Sequence, residues 1–526
     1  MKKILIGFAA ILLSTAFSAC NKLQLAPEDS YGSENFWKNS AQVDGAMIGL
    51  HSQLRGYQFT FFNLGELRGG SLKTGTSFTG TASLNAAGLI AQDIRESSPG
   101  VSGWVNFYRP IFDVNNFIYQ VEKSTYLTAA DKGYYLGQAY GLRAFYYFWL
   151  FRTYGRVPLT TEPSVLLKDP KSAADLYLAR SATEKQTLDF IKADIDKSAT
   201  SFNGNYTTKF QKAQWGLSAT QMLKGEVYLW SAKVKMDGAA PTSTAADLAT
   251  SRTALEDVIS KHTLLANFGN VFKSASIAAS RGSSEIIFAL RNLSGEASNN
   301  YSQFIYAITD PLSGYVDDQG NAIPSADPLQ VNGGGTIIRY EYKIELYDQF
   351  QSTDSRKNAT FLNFNKASAG IRATNLRKFP GEIVTGARVF SDDFPVYRVA
   401  EAYLLLAEVK NKQGQDPTAE IMMVRNRAYA PNAAPLFVNG TFEQNELAIF
   451  AERGKEFVGE GKRWFDLRRM QDASGNPLVF RKDLPLVGVL DNVAGQNHKI
   501  LWPIDIGTLN ADELLKGNQN PGYPGT

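Results

Sequence analysis

The sequence predicts a mainly α-helical protein in which pairs of helices pack against a loop-rich, irregular lobe with short strands. Two blocks of the chain, residues 104–261 and 396–470, carry apolar residues at helical spacing. Residues 57–103 and 262–395 instead mix short strand-like runs with segments rich in Gly, Ser and Asn. We therefore expect the two helical blocks to form one part of the body and the two irregular segments to form the lobe.

The composition favours a soluble globular body. Of the 526 residues, 44% are hydrophobic and 20% are charged, which fits neither a disordered chain nor a polytopic membrane protein. Lys and Arg total 54 against 51 for Asp and Glu, and removal of Lys2 and Lys3 with a leader leaves 52 against 51. A nearly neutral chain gives no electrostatic reason to expect a nucleic-acid partner.

The N-terminus predicts export and lipid attachment. Lys2 and Lys3 precede an apolar run at residues 4–13, which is too short to span a membrane but has the length of a signal-peptide core. Cys20, the only cysteine, follows small residues directly after this run, where it is placed to carry a lipid on a new N-terminus. We predict a signal peptide at residues 1–19 and a lipidated tether at residues 20–33; the alternative is plain cleavage beside an unmodified cysteine.

The body begins at residue 34 and extends to residue 526. Its predicted helices are residues 34–55 with Ser40 as the cap, 104–122, 129–151, 182–199, 212–235, 246–261, 396–413, 418–428 and 443–459. The helix at 129–151 is apolar nearly all round and must be buried, and Gly155 and Pro158 end it. Gly225 and Ala407 are small residues that lie between large ones. They favour close helix pairs like those of tetratricopeptide repeats.

The irregular segments are expected to be ordered. In the first, Phe59, Phe61 and Phe62 are predicted to fill the core rather than to face solvent. In the second, residues 285–290 (EIIFAL) have the composition of a short buried strand.

Three passages resemble one protein family. Residues 141–158 (GLRAFYYFWLFRTYGRVP), residues 452–469 (ERGKEFVGEGKRWFDLRR) and residues 519–523 (QNPGY) are similar to the signatures of the SusD/RagB family of outer-membrane nutrient-binding lipoproteins. The resemblance spans residues 20–523. It implies a lipid-anchored protein on the outer face of the outer membrane that binds an oligosaccharide or another oligomeric nutrient. Its implied partner is a SusC-type TonB-dependent β-barrel transporter, to which it delivers that nutrient.

The resemblance also implies where the ligand lies. Family ligands sit on loops drawn from the N-terminal irregular segment and from the lobe, here residues 57–103 and 293–340. A glycan site needs planar rings and a few hydrogen-bonding groups. The candidates of those types are Arg68, Lys73, Phe78, Asn85, Tyr301, Phe304, Tyr306 and Tyr315. Trp104, at the edge, is the only tryptophan near these loops, which argues against a starch-like ligand.

No catalytic, metal or cofactor site is expected. Glu456, Glu460 and Asp466 resemble an acid–base set, but neighbouring Arg and Lys residues favour salt bridges. Residues 317–321 (DDQGN) favour a turn over a calcium loop, because the acidic residues lack the alternate spacing of an EF-hand. His51, His262 and His498 are too scattered to suggest a metal site.

The sequence leaves two other functions open. A lipid-anchored glycosidase or peptidase on a helical scaffold would need paired carboxylates in a cleft. A helical-repeat assembly protein would bind only protein.

Overall fold

The computed structural model describes residues 36–80, 82–100, 103–304, 312, 314–323 and 338–524. Within these residues the α-helices, labelled α1 to α16 in chain order, are Ser40–Arg55, Gln58–Glu66, Ala87–Ile90, Val105–Lys123, Ala129–Tyr154, Ser164–Leu167, Glu184–Phe202, Leu217–Lys233, Thr244–Lys261, Ile344–Tyr347, Arg356–Thr360, Val399–Lys412, Thr418–Tyr429, Phe442–Glu456, Arg463–Arg469 and Ile506–Ala511. The strands, β1 to β6, are Ile286–Leu290, Phe361–Lys366, Ile371–Leu376, Glu382–Val384, Ala387–Val389 and Phe394–Arg398. The predicted leader, its cysteine Cys20 and the tether lie outside the described residues.

The long helices pack as pairs into one continuous body. Helix α5 packs against α4 and α7, α8 against α9, and α12 against α13 and α14. Helix α9 also packs against α12, which joins the two helical blocks. At Gly225 in α8, a Cβ atom would lie only 2.6 Å from the side chain of Leu255 in α9. The mainly α, tetratricopeptide-like architecture is therefore confirmed, and so is the need for a small residue at position 225.

Helix α5 is the buried centre of this body. It begins at Thr128, whose side chain accepts a hydrogen bond from the backbone N–H of Asp131, and every residue from Gly137 to Tyr154 is buried. It ends at Gly155, whose φ of +72° is readily adopted by glycine, and a Cβ atom there would lie 2.5 Å from Oε1 of Glu184. Both the burial and the end point agree with the sequence prediction.

Some helix ends differ from the prediction. Helix α1 is capped by Asn39 rather than Ser40, because the Asn39 side chain accepts from the N–H of Gln42 at 3.0 Å. Helix α8 begins at Leu217 rather than at residue 212, because residues 210–212 have positive φ angles. The N–H of Trp215 is then used in a hydrogen bond to Nε2 of His51, 2.8 Å away.

The segment after α1 is more regular than predicted. Residues 58–66 form helix α2, and its Phe61 stacks on Trp149 of α5 with ring centroids 4.5 Å apart. Phe61 and Phe62 are buried, as predicted, whereas Phe59 is half-buried. A Cβ atom on residue 65 would lie 1.8 Å from the carbonyl oxygen of Gly461. Helix α2 can therefore pack against the loop that contains Gly461 only because residue 65 is glycine. The local composition did not predict this helix, because the contacts that stabilise it, such as those of Phe61 with Trp149 and of Gly65 with Gly461, come from residues distant in sequence.

The strands form three antiparallel pairs, β1 with β6, β2 with β3 and β4 with β5. The predicted strand at residues 285–290 is confirmed as β1, which is buried along its whole length. Its partner β6 is also fully buried and runs directly into α12. This pair therefore ties residues 262–395 to the helical body.

Three carboxylates of the 452–469 passage are buried in ion pairs. Their cationic partners are Arg356, Arg398 and Arg427 for Glu456, Lys378 and Arg398 for Glu460, and Arg453 and Arg469 for Asp466. Burial alone would raise the pKa of Glu456, but the guanidinium groups of Arg427, Arg398 and Arg356 outweigh burial and hold that pKa well below its usual range. The prediction of structural salt bridges rather than an acid–base set is confirmed.

Candidate functional site

The two irregular segments expected to carry the ligand site meet in space. Leu72 and Tyr342 form an antiparallel bridge, and the N–H of Lys73 donates to the carbonyl of Glu341 at 2.8 Å. Further along, the N–H of Asn85 donates to the carbonyl of Arg339 at 2.7 Å. Residues 71–80, 82–85 and 338–343 therefore form one structural unit, which is called the joined surface below.

A buried carboxylate holds this unit together. Glu341 is 3% exposed, and its two oxygens accept hydrogen bonds from Nζ of Lys73 and from the N–H of Phe78, each at 2.9 Å. Burial raises the pKa of Glu341, and the hydrogen bond and charge of Lys73 oppose that rise. Sequence reasoning missed Glu341, although its position between Tyr340 and Tyr342 has the alternating pattern of a paired extended segment.

A small apolar cluster lies beneath the joined surface. It consists of Phe78, Leu84, Leu312, Tyr315, Ile338, Phe364 and Ala373. The ring of Phe78 stacks on Phe364 with centroids 4.8 Å apart, and the ring of Tyr315 meets Phe78 edge-on at 5.6 Å. Phe78 and Tyr315 are 7% and 4% exposed.

Tyr301 and Phe304 also belong to the core. The Tyr301 hydroxyl donates to the carbonyl of Gly459, and its ring centroid lies 4.0 Å from that of Phe379. Phe304 meets Phe62 edge-on at 5.1 Å. Both residues are buried.

Arg68 is enclosed by aromatic rings rather than presented to solvent. Its guanidinium carbon lies 3.9 Å from the ring centroid of Trp464 and 5.2 Å from that of Trp502. Its Nε donates to the side chain of Gln92 at 2.8 Å and its Nη2 to the carbonyl of Lys499 at 2.5 Å. Burial lowers the pKa of Arg68 to about 9.

These positions correct the sequence-based expectation for five candidates. Arg68, Phe78, Tyr301, Phe304 and Tyr315 are all buried, so in this conformation none offers a ring face or a cation to a sugar. Their neighbours in the chain are polar, but the residues that bury them lie far away in sequence.

Two candidates remain accessible on the joined surface. The Lys73 side chain is 38% exposed. Asn85 is half-buried, and its side chain is hydrogen-bonded with Tyr340. The eighth candidate, Tyr306, lies outside the described residues.

The acidic segment near this surface forms the predicted turn. Oδ1 of Asp317 accepts hydrogen bonds from the N–H groups of Gln319 and Asn321 at 2.9 and 2.8 Å, and Gly320 has a φ of +83°. In the part of the chain that the structure describes, no group of three or more His, Cys, Asp and Glu side chains is arranged to hold a metal ion. Across the same residues, no helix has the length and apolarity needed to cross a bilayer.

Two family models match separate parts of the chain. A model described as SusD family matches residues 363–523, and a model described as starch-binding associating with outer membrane matches residues 72–221. The second match contains Lys73 and Asn85 of the joined surface, and the first contains the 452–469 passage.

Solved structures resemble the chain over nearly its whole length. A SusD superfamily protein from Bacteroides fragilis is 37% identical, with a TM-score of 0.83, and the match covers 93% of this chain and all of the other. NanU of B. fragilis is 32% identical with a TM-score of 0.78, over 95% of this chain and 99% of its own.

The starch-binding protein SusD of Bacteroides thetaiotaomicron is similar in sequence over a shorter stretch. It is 29% identical over 143 residues, which are 27% of this chain and 24% of that protein.

Proposed function

The chain belongs to the SusD family, and on that premise we propose that it is a cell-surface lipoprotein that binds an oligosaccharide for uptake. It delivers this cargo to a SusC-type TonB-dependent β-barrel transporter in the outer membrane. Cys20 carries the lipid, and the folded body faces the exterior.

The observation that carries the proposal is the joined surface. It combines two segments that are about 250 residues apart in the chain, in the place where the family resemblance predicts the ligand. Lys73 and Asn85 offer a cation and an amide there, which are groups suited to sugar hydroxyls. We assign cargo binding to this surface, with Lys73 and Asn85 as its contacts.

In the 452–469 passage, the arrangement of the carboxylates supports binding rather than hydrolysis. Glycoside hydrolysis needs two carboxyl groups on either side of an open cleft, one of them able to hold a proton. Glu456, Glu460 and Asp466 are instead buried and neutralised by cations. We therefore prefer a binding protein to the glycosidase alternative.

A glycan panel tests the proposal. The mature chain, produced without its lipid, is titrated calorimetrically with neutral and acidic oligosaccharides while reducing-sugar release is measured in parallel. We expect saturable binding of at least one oligosaccharide without release of reducing ends. Release would favour a glycosidase, and no binding across the panel would favour a protein-only assembly role; either result would contradict the proposal.

Variants locate the site within the same experiment. Asn85→Ala and Lys73→Met should each weaken cargo binding by about tenfold, which corresponds to one good hydrogen bond or charge contact. Lys171→Met is the matched control, because the Lys171 side chain is 80% exposed and pairs only with its neighbour Asp169. Equal binding by all three variants would place the cargo elsewhere.

A further inference from the structure

A concave region lies among the helices and the C-terminal segment. It is a cleft of about 770 Å³ between the end of α8, the turn at residues 471–477 and residues 492–501. None of its lining residues belongs to the joined surface or to the eight candidates from the sequence. Its volume lies in the range of small-molecule sites.

The wall of the cleft contains a buried guanidinium group whose positive charge is not paired with a carboxylate among the described residues. Arg468 is 4% exposed and lines the cleft, and its Nη1 donates to the carbonyl of Arg152. Among the described residues, its Nε has no hydrogen-bond partner and its guanidinium forms no ion pair. The next residue, Arg469, is paired with both Glu408 and Asp466. A buried cation without a carboxylate partner is costly; Arg468 shares this state with Arg68, and the rings of Trp230 and Trp464 lie 5.2 and 5.9 Å from its guanidinium carbon.

Two further cations and two carboxylates line the same cleft. Arg156 is half-buried and Lys235 is exposed. Glu184 and Asp237 exchange hydrogen bonds: Oε2 of Glu184 accepts from the N–H of Asp237 at 2.7 Å, and Oδ2 of Asp237 accepts from the N–H of Glu184 at 2.9 Å. The carboxylates are therefore occupied by backbone donors.

The charge of Arg468 is only partly balanced by these neighbours. Burial lowers the pKa of Arg468 to about 9, the charges of Arg68 and Arg152 add to that effect, and the charge of Glu184 opposes it. At neutral pH the guanidinium still carries its positive charge. An anion entering the cleft would gain a charge-assisted hydrogen bond that the chain itself does not supply.

The rest of the lining suits a sugar ring. Met236, Phe480 and Leu501 are partly buried and give the cleft apolar walls. Asn492 and Asn497 are exposed at its edge and can donate to or accept from hydroxyl groups. Apolar walls with a few polar groups and one cation match a ring that carries hydroxyls and an anionic substituent.

We propose that this cleft binds an acidic saccharide unit of one or two rings, whose carboxylate is received by Arg468 with Arg156 beside it. The proposal rests on the proposed function only for its choice of saccharides as ligands. It adds to that function a preference for sugar acids at a site separate from the joined surface.

The test compares D-galacturonate with its methyl ester, a neutral molecule of nearly the same shape. Both are titrated into the mature chain by calorimetry, up to tens of millimolar, at low and at moderate salt. We expect galacturonate to bind at least tenfold more tightly than the ester and its binding to weaken with salt. Equal affinities, or no saturable binding of galacturonate, would overturn the proposal.

Three variants assign the contact. Arg468→Met should lose at least tenfold in galacturonate affinity, while Arg468→Lys keeps the charge and should recover part of it. Arg156→Gln removes the less buried cation. It is the test variant if Arg468→Met has a melting temperature well below that of wild type. Arg372→Gln is the control, since its 56% exposed side chain pairs with Asp348 outside the cleft. Unchanged affinity in both Arg156→Gln and a folded Arg468 variant would overturn the assignment.

The outcome is separable from that of the glycan panel. If an oligosaccharide binds through Lys73 and Asn85 but galacturonate does not bind, the cleft proposal is wrong and the proposed function stands. If galacturonate binds and depends on Arg468 while no oligosaccharide binds, the cleft proposal stands and the assignment to the joined surface is wrong.

Discussion

Arg143 and Asp194 form a two-pronged ion pair between α5 and α7, with Nε to Oδ2 at 2.7 Å and Nη2 to Oδ1 at 2.8 Å. Both side chains are almost completely buried, and Nη1 of Arg143 also donates to Asn115 at 2.8 Å. An arginine inside a helix whose other faces are aromatic needs such a partner. This pair joins α5, which carries the 141–158 passage, to α7 and acts in the scaffold.

Removing the arginine should destabilise the protein strongly. Arg143→Met leaves Asp194 buried without its partner, and we expect a loss of about 3–5 kcal/mol in the free energy of unfolding. Chemical denaturation measures it. Arg252→Gln is the control, because its pair with Glu256 is largely exposed and should contribute about 0.5 kcal/mol or less. Similar losses in the two variants would contradict the scaffold role of Arg143.

Tyr301 tests the distinction between core and ligand surface. Because its ring packs in the core, Tyr301→Ala should cost about 3–5 kcal/mol in stability. Tyr301→Phe keeps the ring and loses only the hydrogen bond to Gly459, which should cost about 1 kcal/mol. Thermal melting and glycan titration of both variants provide the check. If Tyr301→Phe melts like wild type yet loses cargo binding, the tyrosine is a ligand contact and its assignment to the core is wrong.

Glu66 should make stability depend on pH. Burial raises its pKa to about 7 from the ordinary 4.5, against the opposing charge of Arg463. Oε1 accepts from the Tyr342 hydroxyl at 3.0 Å, whereas Oε2 is buried without a partner among the described residues. Between pH 4.5 and 7 the folded protein therefore holds a proton that the unfolded chain has released. This contribution to stability is present at low pH and is lost as the pH rises through that window.

The variant Glu66→Gln removes this titration. Its stability relative to wild type should increase between pH 5 and 8, by on the order of 1–3 kcal/mol. Urea denaturation across this pH range measures the difference. The control is Glu256→Gln, on an exposed helix surface. A difference for Glu66→Gln that does not change with pH would contradict the raised pKa of Glu66.

Substitution of Cys20 tests the proposed lipid anchor. Since it is the only thiol, Cys20→Ala should release the protein from the membrane fraction and leave the melting temperature of the purified body unchanged. Ser18→Ala, which keeps the cysteine, should remain in the membrane fraction. Retention of the Cys20→Ala protein in the outer membrane at the wild-type level would contradict the lipoprotein assignment.

The sequence predicted the helices and the scaffold charges well because their signals are local. Apolar spacing identifies α5, and Arg and Lys beside Glu456 point to salt bridges without knowledge of the fold. The ligand candidates depended on tertiary contacts instead. Arg68 lies between Trp464 and Trp502, and Tyr301 lies against Phe379. No local pattern shows that rings so distant in the chain will bury these residues.

The cleft could not be predicted from the sequence for the same reason. Its wall combines Arg156, Glu184, Asp237 and Arg468, which come from four separate parts of the chain. Arg468 lies next to Arg469, which is paired with Glu408 and Asp466, so the missing carboxylate of Arg468 becomes visible only in three dimensions. By contrast, the family resemblance named the segments 57–103 and 293–340, but it did not predict that they pair through Leu72 and Tyr342.

The central claim is that this chain captures cargo for a transporter, and co-purification from outer membranes tests it most directly. The tagged, lipidated chain is extracted in mild detergent with a fluorescently labelled oligosaccharide chosen from the glycan panel, and its partners are identified by mass spectrometry. We predict that a TonB-dependent β-barrel elutes with it in near-equal amount, and that Asn85→Ala reduces the bound oligosaccharide without reducing the barrel. Extraction of the wild-type chain alone, without a barrel, would contradict the account.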